Sequence, residues 1–445
     1  MNIEIPQSGT RTLQRKLYLK AKQAEGFRFY ALYDKIYRLD ILHRAYELVK
    51  ANGGSPGLDG RTCKQIEEEE GKARFISEIR EDLVTRQYQA QAVKRVYIPK
   101  GNGERRPLGI PTIRDRVVQM ATKLVLEPIF EADFSENSFG YRPKRHAHQA
   151  IDTITEAMRY GHVKVIDADL SKYFDSIPHD KLLRTLSERI SDGPVLGLLK
   201  QWLKAPIIED KEGKRMVVGG GQRCRQGTPQ GGVISPLLAN LYLNLLDRIW
   251  QRHALERRIG ARLVRYADDM VLLCAKDTET PYSILKSILN RLALTLNEEK
   301  TVIVDARKTS FQFLGFTIKQ LRSERTGKWF PYVEPSKKAI SDFKEKIKWI
   351  TRGRMNLVPL VDIIKMMNDR LRGWGNYFRH GNCYRQLRKV RSFCEQRLRI
   401  HLCYRHKVRY SVSGYGKFPY RALYEKYGLY KLDVKPKWKH AHALG

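Results

Sequence analysis

Two adjacent acids, Asp268 and Asp269, stand in "LVRYADDMVLL" between apolar residues, with Leu263 and Val264 before them and Met270, Val271, Leu272 and Leu273 after. Both runs favour extended, buried chain. The acids therefore sit at the mouth of a buried hairpin, where like charges repel and lose water. Such a pair needs protons or a cation. A shared-proton dyad works in acid and suits a peptidase; a divalent ion is the better neutraliser for a chain as basic as this one. Oxygen ligands on a sharp turn suit Mg²⁺, which keeps some waters and takes substrate phosphates as its other ligands. One more carboxylate would let two ions sit about 4 Å apart, the arrangement for in-line phosphoryl transfer. "VIDADLSKYFD" offers Asp167, Asp169 and Asp175. In a strand Asp167 and Asp169 share a face, and the residues alone do not choose between them. Asp175, before "SIPHD", reads as a turn former or cap.

The elements that must position these acids are legible in outline. Residues 1 to about 90 carry helical apolar spacing, interrupted by the turn "GGSPGLDG". Residues 91–112 alternate as a hairpin, with "AVKRVYIPK" and "RRPLGIP" as strands and "GNGE" as the turn. "IRDRVVQMATKLVLEPIFE" spaces Val117, Ala121, Leu124 and Leu126 as a helix. "SFGYRPKRHAHQAI" is a loop entering a helix, and "HVKVIDADLSKYFDSI" begins as a strand. "GTPQGGVISPLLANLYLNLLDRIW" is a glycine-proline loop feeding an apolar helix. "TLNEEKTVIVD" and "FQFLGFTI" read as strands. Past Ile318 the strand pattern fades into helices rich in Arg, Lys and Trp. Strands and helices mixed without a steady βαβ alternation predict an α+β fold with an antiparallel sheet, followed by a helical basic region.

Charge points to the partner. The chain has 445 residues, enough for two or three domains, and a formal net charge of +35. An excess this large destabilises a compact state unless a polyanion offsets it, and nucleic acid is the natural one. Residues 321–445 hold 30 Lys and Arg against 9 Asp and Glu, so the last part reads as a binding surface. The six cysteines are scattered with no CxxC pair, which excludes a zinc ribbon and favours reduced thiols. No apolar run reaches membrane-spanning length, and the start is polar and basic, so no membrane role and a cytoplasmic location are expected.

"YIPKGNGERRPLGIPTIRDR", "SFGYRP", "DADLSKYFD", "GTPQGGVISPLLANL", "VRYADD", "LNEEKT" and "FLGF" follow one another in the order expected of a reverse transcriptase. Spelled this way, the set resembles the group II intron-encoded reverse transcriptases. "GGSPGLDG" resembles the extra N-terminal motif of that lineage, and "LRGWGNYFR" (371–379) resembles its maturase signature, domain X. The resemblance spans roughly residues 40–445. It implies a right-hand polymerase, with fingers and an antiparallel palm sheet, then an α-helical thumb. The layout it implies is an N-terminal extension and the helical start of the fingers over 1–90, fingers and palm over 91–320, thumb and maturase over 321–400, and a short basic DNA-binding-like segment over 401–445.

The resemblance also assigns roles. Asp169 matches the first metal-binding carboxylate, with the backbone carbonyl of Leu170 beside it, and Asp268 and Asp269 match the other two. Asp169 is preferred to Asp167 because Phe174 lies five residues on, where such polymerases hold a bulky side chain against the sugar 2′-OH. Tyr266 would sit near the primer end. Lys100 and Arg106 match the cations that clamp an incoming triphosphate, with Arg105 able to exchange roles with Arg106. Gln230 in "TPQGG" matches a nucleotide-contacting glutamine, and Lys300 in "NEEK" is a candidate proton donor to pyrophosphate. Arg142, Arg372, Arg379, Arg388, Lys389 and Arg391 are expected to touch primer, template or other RNA. Trp374, Tyr377 and Phe378 have helical spacing and are expected in a bundle core.

The implied activity is RNA-directed DNA synthesis with two Mg²⁺ ions, for which Mn²⁺ is a substitute. The implied partners are group II intron RNA in a ribonucleoprotein, an RNA template with a DNA primer, target DNA and dNTPs. A role in splicing and retrohoming follows. His440 and His442 lie near the end with no cysteine after Cys403, so an HNH nuclease is not expected, and another primer source would serve integration. Two further readings stand beside this one: a domesticated relative in defence, spacer acquisition or DNA repair, and a non-enzymatic splicing chaperone. The intact acid set argues against the chaperone.

Overall fold

The computed structural model describes residues 8–99, 105–211, 214–410 and 412–438. Its strands, in chain order, are β1 (Val93–Pro99), β2 (Arg105–Ile110), β3 (Lys164–Ala168), β4 (Ile207–Lys211), β5 (Lys214–Gly219), β6 (Ala261–Tyr266) and β7 (Asp269–Cys274). After these come β8 (Val302–Asp305), β9 (Phe311–Phe313), β10 (Phe316–Arg322) and β11 (Trp329–Pro335). They form three sheets, ordered β2-β1-β4-β5, β6-β7-β3-β8 and β11-β10-β9. Helices fill most of the remainder, so the fold is α+β as the sequence predicts. No helix among the described residues is long and apolar enough to cross a membrane. All six cysteines are free.

The chain divides into two units. The first comprises Met1–His146, Ala168–Leu272 and Glu279–Thr301. Its axis is the helix Ile113–Glu131, which is apolar on nearly every side and buries Val117, Val118, Ala121, Val125, Leu126 and Ile129. A helix apolar all round belongs in a core. The side chain of Thr112 caps its start by accepting from the Asp115 amide at 3.2 Å. The helices Ser8–Gln23 and Leu39–Ala51 pack on it. The β1–β2 hairpin is antiparallel, with Ile98 opposite Arg106, and its "GNGE" turn and Lys100 lie outside the described residues. β1 also pairs in parallel with β4 at Val93 and Lys94. The β4–β5 hairpin has no counterpart in the sequence reading. Lys214 through Val218 are exposed one after another, so β5 lacks the one-sided burial that betrays a strand.

The second unit comprises Ala147–Asp167, Leu273–Thr278 and Val302–Gly445. β10 runs on to Arg322 and pairs with β11, Arg322 opposite Trp329. The strand structure thus continues past Ile318, where the pattern fades because Lys319, Arg322 and the "SERTG" turn break the apolar alternation. The boundary expected at 320/321 falls inside β10, and the one at 400/401 falls inside the helix Tyr384–Arg405. That helix packs with Lys337–Ile350 and Leu360–Phe378 around Phe343, Ile347, Met367, Leu371, Leu387 and Leu398. Each such side chain contributes about 1.5–3 kcal/mol on burial. Trp374 packs against this core, 5.0 Å from the Phe343 ring and 4.7 Å from Phe378, as its helical spacing predicts. Residues 412–438 do not stand apart: Phe418, Leu423, Leu429 and Leu432 join the same core. Arg399, fully buried, lies between the rings of Tyr415 and Tyr420 at 4.1 and 4.6 Å. His440 and His442 lie outside the described residues.

Candidate active site

β6 and β7 meet in a two-residue turn, Ala267 and Asp268, with Asp269 opening β7. The buried runs on either side, Leu263 to Arg265 and Met270 to Cys274, anchor the turn. Ala267 sits at φ +58, a left-handed conformation that non-glycine residues adopt only when surroundings hold them. Gly140 is one of those surroundings. A Cβ there would lie 2.3 Å from the Ala267 nitrogen, so no larger residue fits against the turn.

Asp169 comes from a different stretch of chain, one residue past the end of β3. Its carbonyl accepts from the Asn297 amide at 2.8 Å, and the Ser171 amide donates to the Thr295 carbonyl at 2.9 Å. Leu170 pairs with Leu296 between these two bonds, an antiparallel pattern that turns the Leu170 carbonyl away from that neighbour. The strand ends at Ala168, so Asp167 and Asp169 are not two positions of one strand face. Asp167 lies within β3 opposite Val302.

Electrostatics shows which acids act on one another. Burial raises the Asp268 carboxyl above the usual carboxylate range and the Asp169 charge raises it further, while Arg106 and Arg265 pull it down. Burial likewise raises Asp269, and with the charges of Asp268 and Asp169 it is pushed up to about 6, again opposed by Arg106. Three carboxylates from two segments thus share one field, with cations at its edge. Arg106, exposed on β2, is the finger-hairpin arginine whose charge reaches the pair. Lys300 stands 3.8 Å from Asp169 Oδ2, with both side chains substantially exposed. Tyr141, partly exposed, is raised by desolvation and then by the charge of Asp268. Tyr266, at the end of β6, acts on the same hydroxyl.

Among the described residues no three His, Cys, Asp or Glu side chains are gathered tightly enough to cage a metal. The donor set nevertheless fits a hard cation. It is all oxygen, and the carboxyls, raised first by burial and then by one another's charge, are groups whose ionised form such an ion would favour.

The other expected contacts share a scaffold. The Gly109 amide of β2 donates to the Gln230 carbonyl at 2.6 Å. Gly231, at φ +108, lets that loop close on β2, since a Cβ would meet the Gly109 carbonyl at 2.5 Å. The Thr228 amide donates to the Phe174 carbonyl at 2.8 Å, and the half-buried Phe174 ring lies 5.7 Å from that of Tyr173. Gln230 and Phe174 are therefore tied to one loop.

Two of the expected RNA contacts are turned inward. Arg142 has a side chain only 2% exposed, and its guanidinium pairs with Glu131 at 2.8 Å and donates to the Ser135 and Ser138 carbonyls. Arg379 is buried, donating to Asp433 and the Lys435 carbonyl. Both are structural cations in this fold, because a guanidinium out of water is tolerated only when its donors are matched. Arg372, Arg388 and Lys389 are exposed, with Arg372 over the Tyr430 ring at 5.2 Å. Arg391 is half-buried, 3.7 Å from Glu395.

Comparison with known proteins adds the following. A family model described as reverse transcriptase (RNA-dependent DNA polymerase) matches residues 98–318. A second, described as the maturase-specific domain of group II introns, matches residues 340–415. The chain is 34% identical over 352 residues to Protein YkfC of Escherichia coli (strain K12), covering 70% of this chain and 88% of that protein. It is 29% identical over 446 residues to the group II intron-encoded protein LtrA of Lactococcus lactis subsp. cremoris, covering 81% of this chain and 72% of that protein.

Proposed function

The chain belongs to the group II intron-encoded reverse transcriptase and maturase family, and from that premise we propose that it copies RNA into DNA at the β6–β7 turn and binds its own intron RNA as a splicing maturase. Mobility of that intron into target DNA would draw on both activities. The observation that carries the polymerase reading is that β7, which Asp269 opens, is hydrogen-bonded to β3, which Asp169 follows, so that acids about a hundred residues apart in sequence act on one another.

In this reading the three carboxylates and the Leu170 carbonyl hold two Mg²⁺ ions. Bound there, the metal would make the primer 3′-OH more nucleophilic and stabilise charge on the departing pyrophosphate. The chain's own residues do the positioning, which dominates phosphoryl transfer. Arg106 faces the site from the finger hairpin and would bind the triphosphate, joined by Lys100. Gln230, held by its carbonyl to Gly109, would contact the nucleotide. Phe174 would exclude a ribose 2′-OH. Tyr266 would abut the primer end, and Lys300 would offer a proton to the leaving group. Arg372, Arg388, Lys389 and Arg391 would hold RNA phosphates from the helical unit. The domain layout we propose keeps fingers and palm before a thumb and maturase region that includes residues 412–438.

The test is primer extension on an RNA template, with and without Mg²⁺, comparing dNTPs with rNTPs. Extension that requires the metal, prefers dNTPs, is lost in Asp169→Asn and accepts rNTPs in Phe174→Val is the expected pattern. Full extension by Asp169→Asn would remove the polymerase assignment at this site. Co-purification of one long structured RNA tests the maturase role.

A further inference from the structure

Beneath the acidic turn lies a buried ion pair that the proposed chemistry does not use directly. Arg265, in β6, is 0% exposed, and its partner Asp247, on the helix Ser235–Arg252, is 5% exposed. The two make a bidentate contact: Nη2 donates to Asp247 Oδ2 at 2.6 Å, and Nε donates to the same carboxylate at 3.2 Å. The remaining nitrogen, Nη1, reaches elsewhere. It donates to the Ala267 carbonyl at 2.9 Å and to Asn240 Oδ1 at 3.2 Å. Asn240 in turn donates from Nδ2 to the Gly140 carbonyl at 2.6 Å. The backbone of Arg265 is held too, its amide donating to the Asn137 carbonyl and its carbonyl accepting from the Phe139 amide, each at 2.9 Å. The helix, the 137–140 loop and β6 thus converge on the residue immediately before Asp268.

Resting on the polymerase reading above, we propose that Arg265, with Asp247 and Asn240, is a positioning device: it clamps the Ala267 carbonyl and so fixes the direction in which Asp268 and Asp269 present their carboxylates to metal. Three observations carry this. Ala267 is left-handed and stays so only if its surroundings hold it. The atom that Nη1 grips is the carbonyl of that same residue. A buried ion pair is weak evidence for stability, because apolar residues of similar volume often serve as well. What an apolar pair cannot do is hold the Ala267 carbonyl and Asn240 at once. A planar fork with five donors can, whereas a lysine ammonium that satisfies Asp247 lacks the fork to reach both others.

The experiment uses the full chain and two variants, Arg265→Lys and the neutral pair Arg265→Met with Asp247→Leu. Three quantities are measured: melting temperature, Mn²⁺ affinity of nucleic-acid-free protein by electron paramagnetic resonance, and single-nucleotide kcat and KM. In the neutral pair we expect melting to change by only a few degrees. Mn²⁺ affinity should fall about tenfold, as when the supports of metal ligands are removed. The kcat should fall about a hundredfold, the order of loss for a 1 Å misplacement, with KM for dNTP within about twofold. Arg265→Lys should lie between the pair and the parent. A folded variant that keeps both Mn²⁺ affinity and kcat overturns the proposal. So does loss of kcat without loss of Mn²⁺ affinity, and so does failure of both variants to fold, which would make the pair purely architectural. Asp268→Asn run alongside separates the two readings. If it still synthesises DNA, the site assignment fails; if it is dead while the Arg265 variants match the parent, only the positioning role fails.

Discussion

At the β6–β7 turn a cation is buried beside anions; on the helix Tyr384–Arg405 most cations are displayed over an apolar core, Arg399 being the buried exception. Arg265 and Arg142 belong to the first pattern, each out of water with its donors matched to carboxylates and carbonyls. Arg388 and Lys389 belong to the second: they are exposed beside Leu387 and Val390, which are fully buried. The lesson is that a net charge of +35 is not one property. Buried arginines set geometry and are insensitive to salt, whereas exposed ones make up an electrostatic surface whose worth falls as salt rises.

The sharpest way to break this comparison is at the turn itself. Asp268→Asn should lower RNA-templated DNA synthesis at least about a thousandfold, since several kcal/mol of transition-state stabilisation depends on it. RNA affinity measured by filter binding should not change. If RNA binding collapses as well, the separation of chemistry from binding is wrong.

Next is Arg142→Ala, which leaves the half-buried Glu131 and the Ser135 and Ser138 carbonyls without this partner. A loss of about 3 kcal/mol or more in unfolding free energy is expected, read by denaturant titration. The salt dependence of RNA binding should stay as it was. A stable Arg142→Ala protein with a shallower salt slope would return Arg142 to the RNA-contacting set.

Arg388→Ala and Lys389→Ala should show the reverse. Each should reduce the slope of log affinity against log salt by about 0.7–0.9 and leave stability within about 0.5 kcal/mol. The smallest effect is expected at Asp269, whose carboxyl is raised to about 6 in the folded chain. A raised carboxyl contributes stability below its unfolded value near 3.8, and that contribution is lost as pH climbs through about 6. Asp269→Asn, neutral throughout, should therefore melt higher than the parent above pH 6 in chelator. The gain is about 1 kcal/mol, because Asp269 lies at the rim of the turn, where its residue surface is exposed and solvent screens much of the effect. It should vanish in acid and shrink with excess Mg²⁺; a gain independent of pH would exclude carboxylate charge as its source.

Much of this arrangement is legible in the residues. The buried runs around Asp268 and Asp269 predict the hairpin, and the spacing of Trp374 predicts its place against the bundle core, whereas Tyr377 and Phe378, of which the same was expected, pack on the Phe316 ring of β10. The sequence does not pair Arg265 with Asp247: the one lies on a strand that also carries Arg262, and the other is a lone acid on a largely apolar helix. Eighteen residues of sequence separate them, and nothing in either segment names the other.

Composition and local pattern by themselves determined most element types outside β4, β5 and β11, and the basic character of the last 125 residues, because those depend on neighbours in the chain. Only the tertiary structure brought the charges of Asp169 and Arg106 to bear on the 268–269 pair and turned Arg142 and Arg379 inward. Those outcomes rest on burial and on charges brought together from distant segments, and both are properties of the folded chain.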